Sequence, residues 1–310
     1  MVLKPQPSLK DKIRGVNQPN LVWQSKTILL LVLPAVGASV VLQAHWWWTA
    51  DAPVAIWTVS LSLLLALLSL KMGSATPGAA AAGAAITACL MFSTISFPYV
   101  PWHTALAPVV LVLLLVSIAT RAGRKRKEAL GLAENRTGRV ASQVAANLGI
   151  AAIVSETLVQ NWIASRPWLP VTREAPALLF AVGLAALSEA AADTVSSELG
   201  QVLSGHPRMI TTLRRVEPGR DGAISIGGTA VGILAAGIVA GAGTKALGGG
   251  WRMLAVSWSG AVFGLFFDSL LGATIEQTGW LNNDGVNFLS TASAAAFALG
   301  ALAFLPHLCR

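Results

Sequence analysis

The sequence contains very little charge. Of its 310 residues only 12% are Asp, Glu, Lys or Arg, whereas 54% are hydrophobic and the mean hydropathy is +0.64. A soluble domain has about a quarter of its residues charged. No polar stretch is longer than about 30 residues, which is short of an ordinary soluble domain. The composition therefore predicts a polytopic membrane protein without a large soluble domain.

Several chemical signatures are missing. The two cysteines, Cys89 and Cys309, and the four scattered histidines give neither a disulfide framework nor zinc-ligand spacing. The phosphate-binding motifs GxxxxGK[ST] and GxGxxG of soluble nucleotide-binding folds are absent. The N-terminus is polar for more than 20 residues before the first apolar segment, which is not the pattern of a signal peptide. A nucleotide site in this chain would therefore belong to a membrane-embedded type.

Apolar segments fill most of the chain. A membrane-spanning helix needs about 20 apolar residues, because lipid cannot form hydrogen bonds with an open backbone. We therefore predict an all-α polytopic membrane protein with about nine transmembrane helices. They form one domain, residues 27–310, after a cytoplasmic N-terminal segment, residues 1–26. The nine segments are 27–48, 52–70, 77–97, 104–120, 141–163, 175–192, 222–244, 252–271 and 286–305.

Basic residues predict the orientation. Seventeen of the 22 Lys and Arg residues fall on one side if the N-terminus is cytoplasmic, as the positive-inside rule requires. We therefore expect an inner (cytoplasmic) membrane protein whose site faces the cytoplasm. The net charge of +8 does not indicate nucleic acid binding, because the basic residues lie between apolar spans. The cluster at 123–127 is interpreted as a topology determinant that contacts anionic membrane lipids, with nucleotide contact as the alternative.

The polar stretches collect on the cytoplasmic side of this topology. They are residues 71–78, 121–149, 188–225 and 268–288, and they hold most of the acidic residues. Outer loops hold almost none. The division predicts that carboxylates far apart in the sequence meet in one pocket at the inner leaflet.

Three acids stand at the ends of apolar runs. Glu189 and Asp193 are one helical turn apart, so they project from the same face. Asp268 directly follows the run AVFGLFF. Ionisable groups at this depth are costly and usually mark a functional site. For Glu189 an equally good interpretation is a buried polar network in which it pairs with an arginine.

Carboxylates near arginines suit phosphate chemistry. Mg²⁺ binds carboxylate oxygens and bridges phosphates, whereas arginine binds phosphate oxygens in a bidentate fork. Phosphoryl transfer needs mainly positioning and charge neutralisation. The predicted metal ligands are Asp193, Asp268 and Asp284, and the predicted phosphate ligands are Arg139, Arg214 and Arg215. The predicted catalytic residues are Asp193, Asp268, Glu198 and Arg215, and the rest of the nucleotide-binding shell is Lys71, Gln143, Asn147, Ser197, Ser269, Asn283 and Asn287.

Small residues are dense in two of the predicted helices. Residues 77–85 are almost free of side chains, and the helix at 222–244 contains the pairs Gly228/Gly232 and Gly237/Gly241. Small-xxx-small faces let helices approach closely in lipid. Tight packing is one interpretation, and a backbone that lines a ligand path is the other.

The polar motifs, taken together, resemble a known family. They are similar to integral membrane proteins typified by the chloroplast phytyl-phosphate kinase of vitamin E biosynthesis, and distantly to membrane cytidylyltransferases and polyprenol kinases that use CTP. Members commonly have Thr-Gly-Gly where this chain has Arg220, Asp221 and Ala223 in GRDGAIS. The residues that carry the resemblance are 71–83, 134–149, 192–229 and 267–291.

The resemblance implies a kinase that converts an isoprenyl monophosphate, such as phytyl or polyprenyl phosphate, to the diphosphate. The donor would be a nucleoside triphosphate, CTP or ATP, with Mg²⁺, and the prenyl tail would lie among the Ala/Gly-rich helices. A phosphate monoester is mostly dianionic at pH 7, so it needs no strong base. For an alcohol substrate, Glu189 or Glu198 could act as the base. The alternatives are a nucleotidyltransferase acting on a lipid phosphate and a lipid or ion transporter.

Overall fold

The computed structural model describes residues 22–129, 138–169, 176–203 and 206–308, and nearly all of them lie in or between helices. Of the predicted N-terminal segment, residues 1–21 lie outside this part, as does Cys309, and Val22 to Lys26 already belong to the first helix. The helices are α1 (Val22–Ala50), α2 (Ala52–Lys71), α3 (Pro77–Ser93), α4 (Leu106–Arg121), α5 (Arg124–Ala129), α6 (Ala141–Ser155), α7 (Thr157–Ala164), α8 (Phe180–Leu203), α9 (Ile226–Ala246), α10 (Trp251–Leu271) and α11 (Asn283–Leu308).

The predicted all-α membrane fold is confirmed. Each of the nine predicted apolar segments coincides with a helix or, in one case, with the pair α6 and α7, which is bent by 58° at Glu156. In the described ranges six helices are long and apolar enough to cross a membrane, or seven if the bent pair is one span. The apolar helices α3 and α4 are shorter, at 17 and 16 residues. The count of nine crossings and the side of the N-terminus stay predictions.

Helix α8 lies at the centre of the bundle and contacts α4, α6, α9, α10 and α11. Its first half is lined by small and aliphatic residues, all buried from Ala181 to Ala192. The polar run that follows does not leave the helix, which continues to Leu203. The carboxylates of this run are therefore held on a rigid helix inside the bundle and not on a loop.

The helices alternate in direction, so that the polar stretches lie at one end of the bundle, which we call the polar face. α1, α3, α6, α9 and α11 begin there, and α2, α4, α8 and α10 end there. Contacts across this face join the starts of α1 and α11 (Gln24 to Trp280), the ends of α2 and α4 (Met72 to Arg121), α2 and the start of α6 (Ser74 to Arg139), and the junction of α8 and α9 (Gly200 to Gly228).

A short hairpin covers part of the polar face between α8 and α9. Its strands, β1 (Arg208–Met209) and β2 (Ala223–Ile224), pair antiparallel. The hairpin packs on the wide helical turn Gly272–Glu276 that extends α10, where Gln277 Nε2 donates to the Asp221 carbonyl at 2.7 Å. Gly222 has a φ of +74°, and a Cβ there would lie 2.2 Å from the Ala273 nitrogen. Glycine is therefore required at this contact, both by conformation and by space.

Candidate functional site

The polar face contains a pair of aspartates contributed by two helices. Asp193 on α8 and Asp268 on α10 are in side-chain hydrogen-bonding contact, although 75 residues separate them in the sequence. Ionised carboxylates only accept hydrogen bonds, so a proton or a cation must lie between two that meet. The sequence prediction that these two carboxylates converge agrees with this geometry.

Glu189 lies one turn deeper than Asp193 on the same face of α8. Only 1% of its surface is exposed, and it contacts Ser290 of α11. Ser290 also contacts Asp268, so its side chain lies between the two acids, and its hydroxyl is also within donating distance of the Asn287 carbonyl at 3.0 Å. One oxygen of each carboxylate, Glu189 Oε1 and Asp268 Oδ2, is buried without a hydrogen-bond partner. Buried oxygens of this kind are expensive unless something binds them.

Close packing makes room for this cluster. At Gly264 of α10 a Cβ would lie 2.6 Å from Glu189 Cγ and 3.0 Å from the Ser290 carbonyl oxygen. Glycine at this position therefore lets α8, α10 and α11 bring their polar side chains together. Among the residues that the structure describes, Glu189 contacts Ser290 and has no ion pair with an arginine, so the pairing considered from sequence is not seen there.

Arg139 supplies positive charge next to the aspartate pair. Its backbone is fixed by two hydrogen bonds to the segment before α3, Arg139 N to the Ser74 carbonyl at 3.0 Å and Thr76 N to the Arg139 carbonyl at 2.9 Å. Its guanidinium interacts electrostatically with Asp193. Of the predicted phosphate ligands, Arg139 therefore lies beside the Asp193–Asp268 pair, in a position that its backbone hydrogen bonds hold.

The amides of Gln143, Asn147 and Asn287 bind the backbone of α6 and one another. Gln143 caps α6 by accepting from the Val140 amide at 2.9 Å. Asn147 donates to the Gln143 carbonyl at 2.8 Å and accepts from Asn287 at 3.5 Å. Asn147 and Asn287 thereby join α6 to α11 one turn from Ser290. The Gln143 side chain, in contrast, caps its own helix.

Asp284 belongs to a separate cluster. Its Oδ2 accepts from Ser25 Oγ at 2.6 Å, and the backbone amide of Asn282 donates to Gln24 Oε1 at 2.9 Å. These contacts hold the start of α11 against the start of α1. The structure therefore gives Asp284 partners other than Asp193 and Asp268, and its role as a metal ligand stays a prediction.

Glu198 is engaged in an ion pair. Lys127 Nζ lies 2.5 Å from Glu198 Oε2, and the lysine side chain is almost fully buried. Lys127 comes from the basic cluster that the sequence assigned to the membrane surface, so for this one residue that interpretation is wrong. The pairing ties α5 to the end of α8, and a catalytic role for Glu198 stays a prediction.

The other predicted ligands lie further out. Arg214 and Arg215 are exposed on the hairpin, and in the described part of the chain neither has a hydrogen bond or ion pair to Asp193 or Asp268. Lys71, Ser197 and Asn283 are also exposed. Ser269 Oγ donates to the Leu265 carbonyl of its own helix at 3.4 Å. The structure brings together Asp193, Asp268 and Arg139, and it does not join these outer residues to them.

The carboxylates of the aspartate pair suit Mg²⁺, which takes few ligands from protein, better than a metal ion whose ligands all come from protein. Within residues 22–129, 138–169, 176–203 and 206–308, no group of three or more His, Cys, Asp or Glu is arranged to hold a metal ion. Mg²⁺, however, is commonly bound by one or two carboxylates, with water and substrate phosphates as the other ligands. Asp193 and Asp268, with the unpartnered Asp268 Oδ2, satisfy that smaller requirement.

Sequence reasoning missed two contributors to the site. Ser290 contacts both Glu189 and Asp268, and its only signal was its position one turn after Asn287 on α11. Lys127 gave no signal of its own, because its basic neighbours share its composition. Both positions depend on which helix lies next to which, and one sequence does not contain that information.

Comparisons with known proteins give the following matches. The family model described as integral membrane protein DUF92 matches residues 60–295, which include Asp193, Asp268 and Arg139. The chain is 32% identical over 202 residues to an uncharacterized membrane protein of Synechocystis, covering 62% of this chain and 72% of that protein. It is 41% identical over 108 residues to an uncharacterized membrane protein of Methanocaldococcus jannaschii, covering 35% of this chain and 45% of that protein.

A third relative is the chloroplastic protein VTE6 of Arabidopsis thaliana. It is 28% identical over 185 residues, which are 58% of this chain and 53% of VTE6. No solved structure matches the chain.

Proposed function

Because the chain belongs to the family of integral membrane proteins described as DUF92, we propose that it is a membrane-embedded phosphotransferase. It transfers the γ-phosphate of a nucleoside triphosphate, CTP or ATP, to an isoprenyl monophosphate at the cytoplasmic face. The distant similarity to VTE6 and the motif resemblance support isoprenyl-phosphate kinase chemistry at the level of the family. The observation that carries the proposal is the contact of Asp193 with Asp268 beside Arg139.

The chemistry fits a site without histidine. An oxygen of the isoprenyl phosphate forms a bond to the γ-phosphorus, the bond from that phosphorus to the bridging oxygen breaks, and the nucleoside diphosphate leaves. The attacking phosphate is mostly dianionic at neutral pH, so no strong base has to remove a proton. Lys or Arg near the leaving and transferring phosphates lowers the barrier by neutralising charge. Arg139 is the described residue best placed to do this.

The aspartate pair fits a nucleotide site. Mg²⁺, when bound, would supply charge neutralisation for the nucleotide phosphates. Asp193 and Asp268 would hold it, while Ser290 orients the Asp268 carboxylate. Arg214 and Arg215, exposed on the hairpin, would contact phosphate only when a nucleotide is present at the polar face. The prenyl tail would lie in the lipid or among the small-residue helices while its phosphate reaches Arg139.

The experiment is a direct assay. We expect purified protein supplied with Mg²⁺, CTP or ATP and either phytyl or farnesyl phosphate to form the diphosphate and a nucleoside diphosphate. Asp193→Asn and Asp268→Asn should each lower turnover by about 100-fold or more, the usual cost of removing a group that stabilises transition-state charge. Asp51→Asn, in the loop between α1 and α2 on the opposite face, is the matched control and should leave turnover unchanged.

Two outcomes would contradict the proposal. Full activity in both aspartate variants would remove the aspartate pair from the reaction. Release of pyrophosphate instead of a nucleoside diphosphate would mean that the α-phosphorus is attacked, and the protein would be a nucleotidyltransferase acting on a lipid phosphate. Size-exclusion elution of each variant checks that the fold is retained.

A further inference from the structure

A cavity lies at the end of the bundle opposite the polar face. Its volume is about 720 Å³, within the range of ligand sites in proteins. It is bounded by the second half of α1, the end of α3 and the bend between α6 and α7. None of the residues that line it belongs to the acid cluster at the polar face.

The cavity walls are mostly apolar. Val36, Leu42, Phe92 and Ile153 contribute aliphatic and aromatic surface, and Trp46 and Trp47 line the outer end. Tryptophan is enriched where the bilayer meets water, so these two rings indicate that the cavity opens at that depth. A space of this composition suits a hydrocarbon chain.

One polar group in the cavity is weakly satisfied. Ser93 Oγ is buried, has no nitrogen or oxygen partner among the described residues, and has the Cys89 thiol, a weak hydrogen-bonding group, as its polar neighbour. Nearby, Ser39 Oγ accepts from Gln43 Nε2 at 2.8 Å. A buried hydroxyl without a strong partner costs free energy that a ligand can recover by hydrogen bonding to it. The lining therefore holds a polar handle for a head group that both donates and accepts.

The charge of the lining excludes an anionic head group. Glu156 is the single ionisable acid among the lining residues, and no lysine or arginine is among them. Its Oε2 accepts from the backbone amides of Leu158 at 2.7 Å and Val159 at 3.2 Å at the start of α7. A phosphate here would meet a carboxylate of like charge and no cation to neutralise it. Phospholipids and isoprenyl phosphates are therefore disfavoured.

We propose that this cavity binds a long-chain alcohol, with the hydroxyl group at Ser93 and the hydrocarbon chain along α1 and α3. The inference goes beyond the proposed function and does not depend on it, because it involves no residue of the polar face. The ligand is neutral, since the lining offers hydroxyl and amide groups and no cation.

The test is photoaffinity labelling in phosphatidylcholine nanodiscs. The probe is a hexadecanol analogue with a diazirine in its chain and a terminal alkyne. We expect labelled peptides from the second half of α1 and from α3, and we expect competition by unlabelled hexadecanol. Hexadecyl phosphate at the same concentration should compete at least about tenfold less well, because it brings a negative charge to Glu156.

Variants make the test specific. Ala38→Trp fills the cavity, since the Ala38 side chain lines it, and should reduce labelling at least about fivefold. Leu64→Trp, on the lipid-exposed side of α2, is the matched control and should not change labelling. Ser93→Ala removes the handle without adding volume and should weaken hexadecanol competition about fivefold, as loss of one hydrogen bond predicts.

Three results would overturn the proposal. They are equal competition by hexadecyl phosphate, equal competition by added phosphatidylcholine, and unchanged labelling in a folded Ala38→Trp protein. If Ala38→Trp does not elute as a single species, Ser93→Ala and the competitor series test the proposal instead. Neither of them enlarges a buried side chain.

Discussion

Lys127 is buried, which its neighbours in sequence do not indicate. It stands in a run of basic residues, yet only 1% of it is exposed. Its ammonium group donates to the carbonyls of Ala119 at 2.8 Å and Thr120 at 3.3 Å, which are the last carbonyls of α4, and it pairs with Glu198. A cation at the C-terminal end of a helix also complements the helix dipole. Lys127 therefore connects α4, α5 and α8 through one side chain.

We predict that Lys127→Met destabilises the protein by about 3–5 kcal/mol, because it leaves the Glu198 carboxylate without its cation and the end of α4 without its cap. Thermal unfolding in detergent measures the effect. Lys125→Met, an exposed neighbour in the same run, is the matched control and should leave the midpoint unchanged. Equal midpoints for the two variants would mean that the ion pair contributes nothing.

Glu189 differs from Lys127, because its surroundings stabilise its charge poorly. Its Oε1 is buried without a partner in the middle of the bundle. Glu189→Gln keeps the shape and removes the charge. We predict a rise in the unfolding midpoint of about 2–4 °C for each kcal/mol gained, together with slower transfer in the assay above, because functional sites often keep costly polar groups.

Glu217→Gln, on the exposed hairpin, is the control for that change. It should alter neither quantity. A Glu189→Gln protein that is less stable than the wild type would show that the carboxylate is a structural group, as one of the two interpretations from sequence held.

The sequence predicted single residues best where one helix was enough. The spacing of Glu189 and Asp193 put them on the same face, and the place of Asp268 after an apolar run put it at the polar end of its helix. It could not predict that Asp284 binds Ser25 or that Glu198 binds Lys127, because those contacts join residues 259 and 71 positions apart. Spacing along a helix is local, whereas contacts between helices depend on the packing of the whole bundle.

At the scale of the element, the glycines of α9 differ in what they contact. Gly232 lies against α8, where a Cβ would approach the Ala192 carbonyl oxygen at 2.9 Å and Ser196 Cβ at 2.8 Å. Gly228 makes a similar contact with the Ser196 carbonyl, at 2.8 Å. Gly241, in contrast, has nothing within 4 Å of a built Cβ. The first glycine pair therefore serves close packing against α8, whereas in the second pair a Cβ on Gly237 would lie 3.3 Å from the Trp258 ring and Gly241 faces open space.

We predict that Gly232→Val lowers the thermal midpoint in detergent by several degrees, because the valine forces α9 away from α8 and the aspartate that α8 carries. Gly241→Val, the same substitution nine residues later on α9, is the matched control and should have little effect, because a Cβ at Gly241 has no neighbour within 4 Å. A loss of stability of the same size in both variants would mean that valine disturbs α9 itself and not its contact with α8.

The sequence predicted the helices themselves and missed their irregularities. Every apolar segment is helical, because lipid leaves the backbone no other way to form its hydrogen bonds. The bend at Glu156, the wide turn Gly272–Glu276 and the short helix α5 were not predicted. Each of them depends on a neighbouring element, such as the hairpin that packs on the wide turn. Hydropathy averages the apolar character of a segment and does not indicate its neighbours.

At the scale of the molecule, alternation of helix direction brings four polar stretches to one face. Hydrophobic length and charge were enough to predict this convergence. The same alternation puts His103, in the short segment Pro101–His103 before α4, at the opposite end from Asn283 and Thr212. The prediction that the polar face is cytoplasmic can therefore be tested by labelling from one side.

In a protein with Cys89→Ala and Cys309→Ala, we predict that His103→Cys reacts with a membrane-impermeant maleimide added to intact cells. Asn283→Cys and Thr212→Cys should react only after the cells are permeabilised, because the basic residues hold that face inside. All three side chains are exposed at the positions chosen. Reaction of His103→Cys and Asn283→Cys from the same side would contradict the alternation.

The contact between the starts of α1 and α11 has a consequence for synthesis. Gln24 finds its partner, the Trp280 carbonyl, 256 residues later in the chain. At about 5–20 residues per second, the ribosome needs roughly 10–50 s to add that length. During this time the first helix lies in the bilayer while Gln24 has not yet met its partner, and the contact at the polar face forms only when the last helix inserts. A nascent chain cut short before that point would keep most of its helices and lose the closure.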